Sequence, residues 1–199
     1  MKNLCLVLIL LVILPMAIPL SASAVTPLET IQTSVNKVLE LVRDPALKAQ
    51  PQQETKEKRI WGIIDGVFDY TELSKRTLAQ HWRAFTPEQQ KEFSRLFGKL
   101  LGGVYMDRIM GYSDEKVVFT KTNQSSEGFA EVQSEVIMPG KSIPIHYRLF
   151  LRNDEWRVYD VVIEGVSLVQ NYRVQFRDIL AKKSPEDLIE TLRKKVTKG

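Results

Sequence analysis

Apolar positions in the first half of the chain recur at helical spacing, and those in the second half alternate. Thr26-Pro27-Leu28-Glu29 joins an N-cap, a proline at the first helical position and a glutamate placed to close a capping box, so a helix starts there. Leu28, Ile31, Val35, Val38, Leu39 and Val42 fall on one face of it, and Asp44-Pro45 ends it. A polar linker is expected over 48–55. The spacing predicts a second helix over about 53–67, burying Ile60, Ile63, Ile64 and Val67, and a third over about 70–81. Thr86-Pro87-Glu88-Gln89 repeats the start signal and opens a long helix with a wide stripe of Phe93, Leu96, Phe97, Leu100, Leu101, Val104, Tyr105 and Ile109. Gly98, Gly102 and Gly103 interrupt that helix, each at a cost of up to about 1 kcal/mol relative to alanine. Something therefore approaches the backbone closely: another helix, or the tail of a ligand.

After Gly111 the period becomes two. Residues 116–122, 128–138, 142–152 and 155–164 read as four strands, with Pro139-Gly140 and Asn153-Asp154 as turns. The third strand sets Ile145, Tyr147, Leu149 and Leu151 on one face and His146, Arg148 and Arg152 on the other, so one sheet face is apolar and needs a cover. The fourth reads as Val158 and Val162 to one side and Tyr159, Val161 and Ile163 to the other, buried on both. Two helices close the chain, over about 166–183 and, capped by Ser184-Pro185-Glu186, over about 185–196. The fold class is α+β: a four-stranded antiparallel meander packed against several helices, with an apolar cavity between. The helical part spans 25–111, the sheet 116–164 and the C-terminal helices 166–197, as a single domain over 25–199.

Residues 1–24 carry one charge, Lys2, then an apolar run from Leu4 to Leu14, Pro15, Pro19 and a small-residue end at Ala22-Ser23-Ala24. This is the order of a secretory signal peptide cleaved after Ala24. The run is shorter than the roughly 20 residues a transmembrane span requires. Cys5, the sole cysteine, lies inside this leader, so the exported chain has none. Export without disulfides fits a bacterial envelope, and about 175 remaining residues suffice for one core. The formal charge of +4 falls to +3 without Lys2. That surplus suits an anionic membrane surface or an acidic partner, and equally suits ordinary solubility.

Candidate chemistry is sparse. His81 and His146, the two histidines, sit on different elements with no cysteine to join them, so no metal or cofactor is expected. Gly165-Val166-Ser167 begins like a nucleophile elbow but lacks its closing glycine and follows a meander strand, so Ser167 reads as a helix cap. Asp160 and Glu164 stand roughly 13 Å apart on an extended strand, too far for a paired-carboxylate hydrolase. Glu164 reads better as an acceptor for N–H groups at the next helix start. No phosphate loop, dinucleotide fingerprint or nucleic-acid motif is present, and Lys182, Lys183, Arg193, Lys194 and Lys195 read as a solvated face.

Three blocks carry a family resemblance: FDYTELSKRTLAQHW at 68–82, TPEQQKEF at 86–93 and YDVVIEGVSLVQNYRVQFRDIL at 159–180. In this order they resemble the MlaC-type periplasmic phospholipid-transport proteins, also called toluene-tolerance auxiliary components. The resemblance implies a nuclear-transport-factor-2-like sheet with added helices, holding acyl tails inside and leaving the headgroup in solvent. It also implies a monomer in the periplasm of a Gram-negative bacterium. Its partners would be an inner-membrane ABC transporter complex carrying an MCE-domain ring and an outer-membrane lipoprotein-porin complex. Members linked to hopanoid pathways leave the lipid open.

The residues themselves point to an apolar guest. Burying one methylene gives about 0.8 kcal/mol, so a two-tailed lipid of about 30 methylenes gains on the order of 20 kcal/mol on leaving water. A cavity as apolar as a bilayer makes pick-up and release nearly balanced, and needs no catalytic residue. The expected lining is Phe97, Leu100, Leu101, Val104 and Tyr105 on the long helix, Ile145, Tyr147 and Leu149 on the sheet, and Val166 and Val169 beyond the turn; each is a core position first. Two other roles stay open. One is an enzyme using Asp160 in such a cavity, and the other is a periplasmic chaperone or adaptor using the amphipathic helices and basic C-terminus.

Overall fold

The computed structural model describes residues 25–47, 50–112 and 115–198; the expected leader lies outside them. Helix α1 (Pro27–Arg43) begins where its signal stands. Thr26 Oγ1 accepts the Glu29 N–H at 3.2 Å, and Glu29 Oε2 accepts the Thr26 N–H at 2.8 Å, so two donors that a helix start leaves bare are satisfied. α2 (Gln50–Val67) starts about three residues earlier than its apolar spacing suggests, with Pro51 tolerated in the first turn. α3 (Tyr70–Leu78) is shorter than expected: Ala79 turns to φ 48° and ψ −120°, and a 3₁₀ segment follows over Ala79–Ala84. α4 (Pro87–Met110) repeats the capping box with Thr86 and Gln89.

The sheet is a meander of β1 (Lys116–Gln124), β2 (Phe129–Met138), β3 (Lys141–Arg152), β4 (Glu155–Ile163) and a two-residue β5 (Val166–Ser167), each antiparallel to the next. The fifth strand was not legible as one. Glu164 (φ 49°) and Gly165 (φ 81°) both take left-handed conformations, and this two-residue turn folds Val166 and Ser167 back onto Ile163 and Val162. Helix α5 (Leu168–Leu180) therefore begins two residues later than expected, and α6 (Pro185–Lys198) closes the chain.

A bulge alters the reading of β4. Arg148 pairs with Asp160 but Leu149 pairs with Val158, which leaves Tyr159 as an extra residue and resets the alternation. Trp156, Val158, Val161 and Ile163 consequently share the apolar face with Leu149, Tyr147 and Ile145, while Asp160 and Val162 face the other way with Arg148 and His146. The expected grouping of Val158 with Val162, opposite Tyr159, Val161 and Ile163, fails for that reason.

Most of the helices' apolar side chains join one cluster with this sheet face. Phe97 is fully buried, with the rings of Phe93, Tyr172 and Phe176 at 5.6, 5.0 and 5.3 Å in tilted and edge-on arrangements. Leu188, Ile189 and Leu192 bring α6 onto the same cluster, and Arg193 ties α6 to α4 by paired bonds of 2.9 Å to Glu92. A second cluster lies between α1, α2 and the end of α4, built on Leu41, Val42, Leu47, Ile60 and Met106, with Trp61, Met110 and Tyr112 against it. Two α4 glycines answer the question they raised. A Cβ on Gly98 would stand 2.9 Å from the Tyr70 ring, and one on Gly102 would stand 1.5 Å from the Trp61 indole, so aromatic rings from neighbouring helices occupy both notches. Gly103 meets nothing within 4 Å.

Candidate functional site

The apolar sheet face is unevenly covered. At one end Val132, Leu149 and Val158 are fully buried, with α3 and α5 packed on β4 and α1 on β2. Toward the other end Val117, Phe119, Ile143, Ile145, Tyr147 and Ile163 belong to the same face and are only half-buried, although Ser134, Val136 and Val161 between them are buried. Helix α1 approaches β1 and β2 on this side, while Tyr105 on α4 packs against the main cluster and Met106 and Met110, further along α4, belong to the second. Methionine packs without demanding one shape, so the second cluster is the more adaptable of the two.

The expected lining residues divide accordingly. Phe97, Leu101, Leu149 and Val169 are buried members of the main cluster, and Leu100, Tyr105, Ile145 and Tyr147 are half-buried against it. Val104 and Val166 stand outside both clusters, 45% and 55% exposed. Around Phe97 and Leu149 the interlocked rings fill the space, so the layer is packed there and loosens only toward Ile145 and Tyr147. Two hollows open elsewhere: one of about 720 Å³ between α1 and α2, lined by Ser34, Lys37, Leu41, Arg59 and Gly62 among others, and one of about 330 Å³ beside Phe129, Arg148 and Tyr159. None of the expected lining residues borders either. The residues that pattern reading missed are Phe119, Ile163 and Tyr172. Alternation marked the first, the unforeseen bulge hid the second, and Tyr172 lies four residues before Phe176 on one face of α5.

Four tyrosines lie along this interior, Tyr172 among them against Phe97 at the packed end. Tyr105, Tyr112, Tyr147 and Tyr172 all have hydroxyls shifted upward, chiefly by burial. Tyr147 is pushed up to about 12 by desolvation, with the Ser134 hydroxyl pulling the other way. Tyr105 on α4 raises Tyr172 on α5 further, and Tyr112, just past the end of α4, raises Tyr147 on β3.

Asp160, the carboxylate that could have served an enzyme, is engaged structurally. It is 2% exposed, and its Oδ2 accepts from Ser167 Oγ at 2.7 Å and Arg148 Nη1 at 3.1 Å, while Oδ1 accepts the Val169 N–H at 3.0 Å. Ser167 Oγ in turn accepts the Gln170 N–H at 3.1 Å, so Ser167 and Asp160 together cap α5. The role expected for Glu164 belongs to Asp160. Glu164 is exposed in the β4–β5 turn and meets Lys141 at 3.3 Å. Among the described residues no three His, Cys, Asp or Glu side chains gather to hold a metal ion, and no helix is long and apolar enough to cross a membrane.

The meander, its covering helices and the half-closed apolar layer define a small α+β protein organised around an apolar interior. The MlaC protein family model matches residues 32–194, and the chain belongs to that family. It is similar to the intermembrane phospholipid transport system binding protein MlaC of Haemophilus influenzae, at 25% identity over 119 residues, which are 57% of this chain and 56% of that protein. The match thus spans little more than half of that relative. Similarity to the toluene tolerance protein ttg2D of Pseudomonas putida runs further, at 26% identity over 190 residues, 92% of this chain and 86% of that one. A phospholipid-binding protein from Ralstonia solanacearum, solved in complex with a phospholipid, shares the fold with a TM-score of 0.75 at 23% identity, over 85% of this chain and 96% of its own.

Proposed function

We propose that this protein is a periplasmic carrier that takes phospholipid acyl chains into the layer between its sheet and α4. It would act as the soluble member of an Mla-type ABC transport system, exported by cleavage after Ala24, with residues 25–199 as one lipid-binding unit. The observation that carries this reading is the uneven cover of the apolar sheet face, sealed at Val132, Leu149 and Val158 and half-open at Ile143, Ile145, Tyr147 and Ile163. Family membership supports it, as do the phospholipid held by the fold neighbour from Ralstonia solanacearum and the transport role in the name of the Haemophilus influenzae relative.

Tails entering at the loose end part Ile145, Tyr147 and Tyr105 and extend toward Leu100, Leu101 and the methionines of the second cluster. Val104 and Val166, exposed on either side, contribute an apolar lip. Each methylene that leaves water contributes about 0.8 kcal/mol, which holds the lipid in transit, and an interior as apolar as a bilayer keeps delivery close to balanced. The partners are an inner-membrane MCE-domain ABC complex and an outer-membrane lipoprotein-porin complex; the carrier works as a monomer and performs no reaction on its cargo. Mass spectrometry of lipid extracted from the protein purified from its native envelope tests the proposal. Stoichiometric diacyl phospholipid is expected, a hopanoid would change the cargo, and protein recovered without any lipid would refute the carrier role.

A further inference from the structure

The two sides of the sheet end differently. At β4 the outer edge is taken up by β5 and by the bridge from Phe68 to Val158. At the opposite side β1 has a neighbour, β2, on one side only. Alternate residues of an antiparallel pair turn their N–H and C=O groups away from the partner strand, and on β1 those groups meet no hydrogen-bond partner among the described residues. Seven of the nine β1 residues are exposed; Val117 and Phe119, which face the apolar layer, are half-buried.

The side chains along this edge have a definite order. Lys116, Val118 and Lys121 stand on the outer face, opposite Ile137, Glu135 and Gln133. Val118 is 46% exposed and its diagonal neighbour Ile137 38%, so the two form an uncovered apolar pair. Neither lysine forms an ion pair among the described residues, and β1 carries no carboxylate. Glu135, behind Val118, already accepts the Ser142 hydroxyl at 2.7 Å. A bulge at Thr120 bends the edge, which leaves Lys116–Phe119 as its straight stretch with Lys121 just beyond.

Lysines and a bulge are the means by which sheet edges avoid pairing with their own kind. Two copies of β1 laid antiparallel about Val118 and Phe119 would set Lys116 of each opposite Lys121 of the other, and like charges directly opposite destabilise such a pair. The same charges favour a strand of opposite sign. An incoming segment would meet apolar side chains at Val117, Val118 and Phe119 and a free ammonium at either end, while the bare backbone groups supply hydrogen bonds of any sequence.

We infer that Lys116–Phe119 takes up a short extended segment of a partner protein as a sixth strand, apolar in its middle and carrying a carboxylate at each end. The added strand would cover Val118 and Ile137 on the outer face and extend the apolar layer beside Val117 and Phe119, where its cover is loose. This surface stands whatever the interior carries.

The test adds a blocked synthetic peptide, alternating valine and threonine with a glutamate at each end, to the isotope-labelled full exported chain. A second peptide has lysine in place of both glutamates. At about 1 mM peptide, a Kd of about 1 mM already half-fills the edge. Amide NMR shifts and hydrogen exchange should show the outward N–H groups of Lys116–Phe119 protected by the glutamate peptide and not by the lysine peptide. The charge-reversed double variant Lys116→Glu with Lys121→Glu, at two exposed positions, should exchange the preference, binding the glutamate peptide about tenfold more weakly than wild type. No protection of β1 by the glutamate peptide overturns the inference, as does equal binding of the two peptides by wild type, a comparison that needs no variant. Protection of β1 that grows with protein concentration alone would make a second copy the occupant, and overturns it as well.

Discussion

Replacing Gly102 by alanine tests the packing of α4 more sharply than any truncation. On a bare helix the change stabilises by up to about 1 kcal/mol. In this fold the new methyl would stand 1.5 Å from Trp61 Cη2 and 1.7 Å from Cζ2, which no small adjustment relieves, so the indole must leave its notch. Truncating a fully buried tryptophan costs about 3–5 kcal/mol, and Trp61 is only half-buried, so displacing its ring should cost roughly half of that. Subtracting the helix gain leaves a net loss of about 1 kcal/mol. Gly103 is the internal control, because an added methyl meets nothing within 4 Å and only the helix gain remains. Urea unfolding followed by circular dichroism should therefore separate the two variants by about 2 kcal/mol, with Gly103→Ala above wild type and Gly102→Ala below it. Near the transition this corresponds to melting points about 4–8 °C apart. Tryptophan emission should shift to the red only in Gly102→Ala. Equal stabilities for the two variants would show that the Trp61 ring does not sit against α4.

Asp160→Ala removes the acceptor that ties β4 to the start of α5 and leaves the Val169 N–H bare; a loss of about 2–4 kcal/mol is expected in urea unfolding, whereas Glu164→Ala should change stability by less than about 0.5 kcal/mol. Leu101→Asp puts a carboxylate at a position only 7% exposed, at a cost of several kcal/mol, so the protein should melt far earlier or lose its lipid; a variant with native stability and native lipid content would contradict the placement of Leu101. The Tyr147 hydroxyl is raised from 10.0 to about 12, so the folded state binds its proton more tightly than the unfolded state does. Its contribution to stability is complete below pH 10 and declines as pH rises through 12; Tyr147→Phe should make the unfolding free energy fall less steeply over that interval, and an unchanged slope would count against its burial.

Several elements were legible because their causes are local. Two capping boxes, two turns with left-handed or glycine positions and a clean change of period placed α1, α4 and four strands within a few residues of where they lie. The site was legible only in outline. Apolar spacing selected residues that face the interior, and most of them do, but spacing could not distinguish Leu149, sealed beneath helices, from Ile145 on the same strand face, where the cover loosens.

What the chain determined by itself was the alternation that makes β3 two-faced, the helix starts and the motifs that mark the MlaC family. What tertiary structure decided were the pairings. One bulged residue, Tyr159, moved Val161 and Ile163 onto the face of Val158 and turned Asp160 toward Ser167 and Arg148. A bulge depends on how β4 meets β3, and a notch such as Gly102 depends on a ring from α2 some forty residues away in sequence. Capping and periodicity act between residues within one or two turns of each other, whereas register and packing are settled by the free energy of the assembled layers.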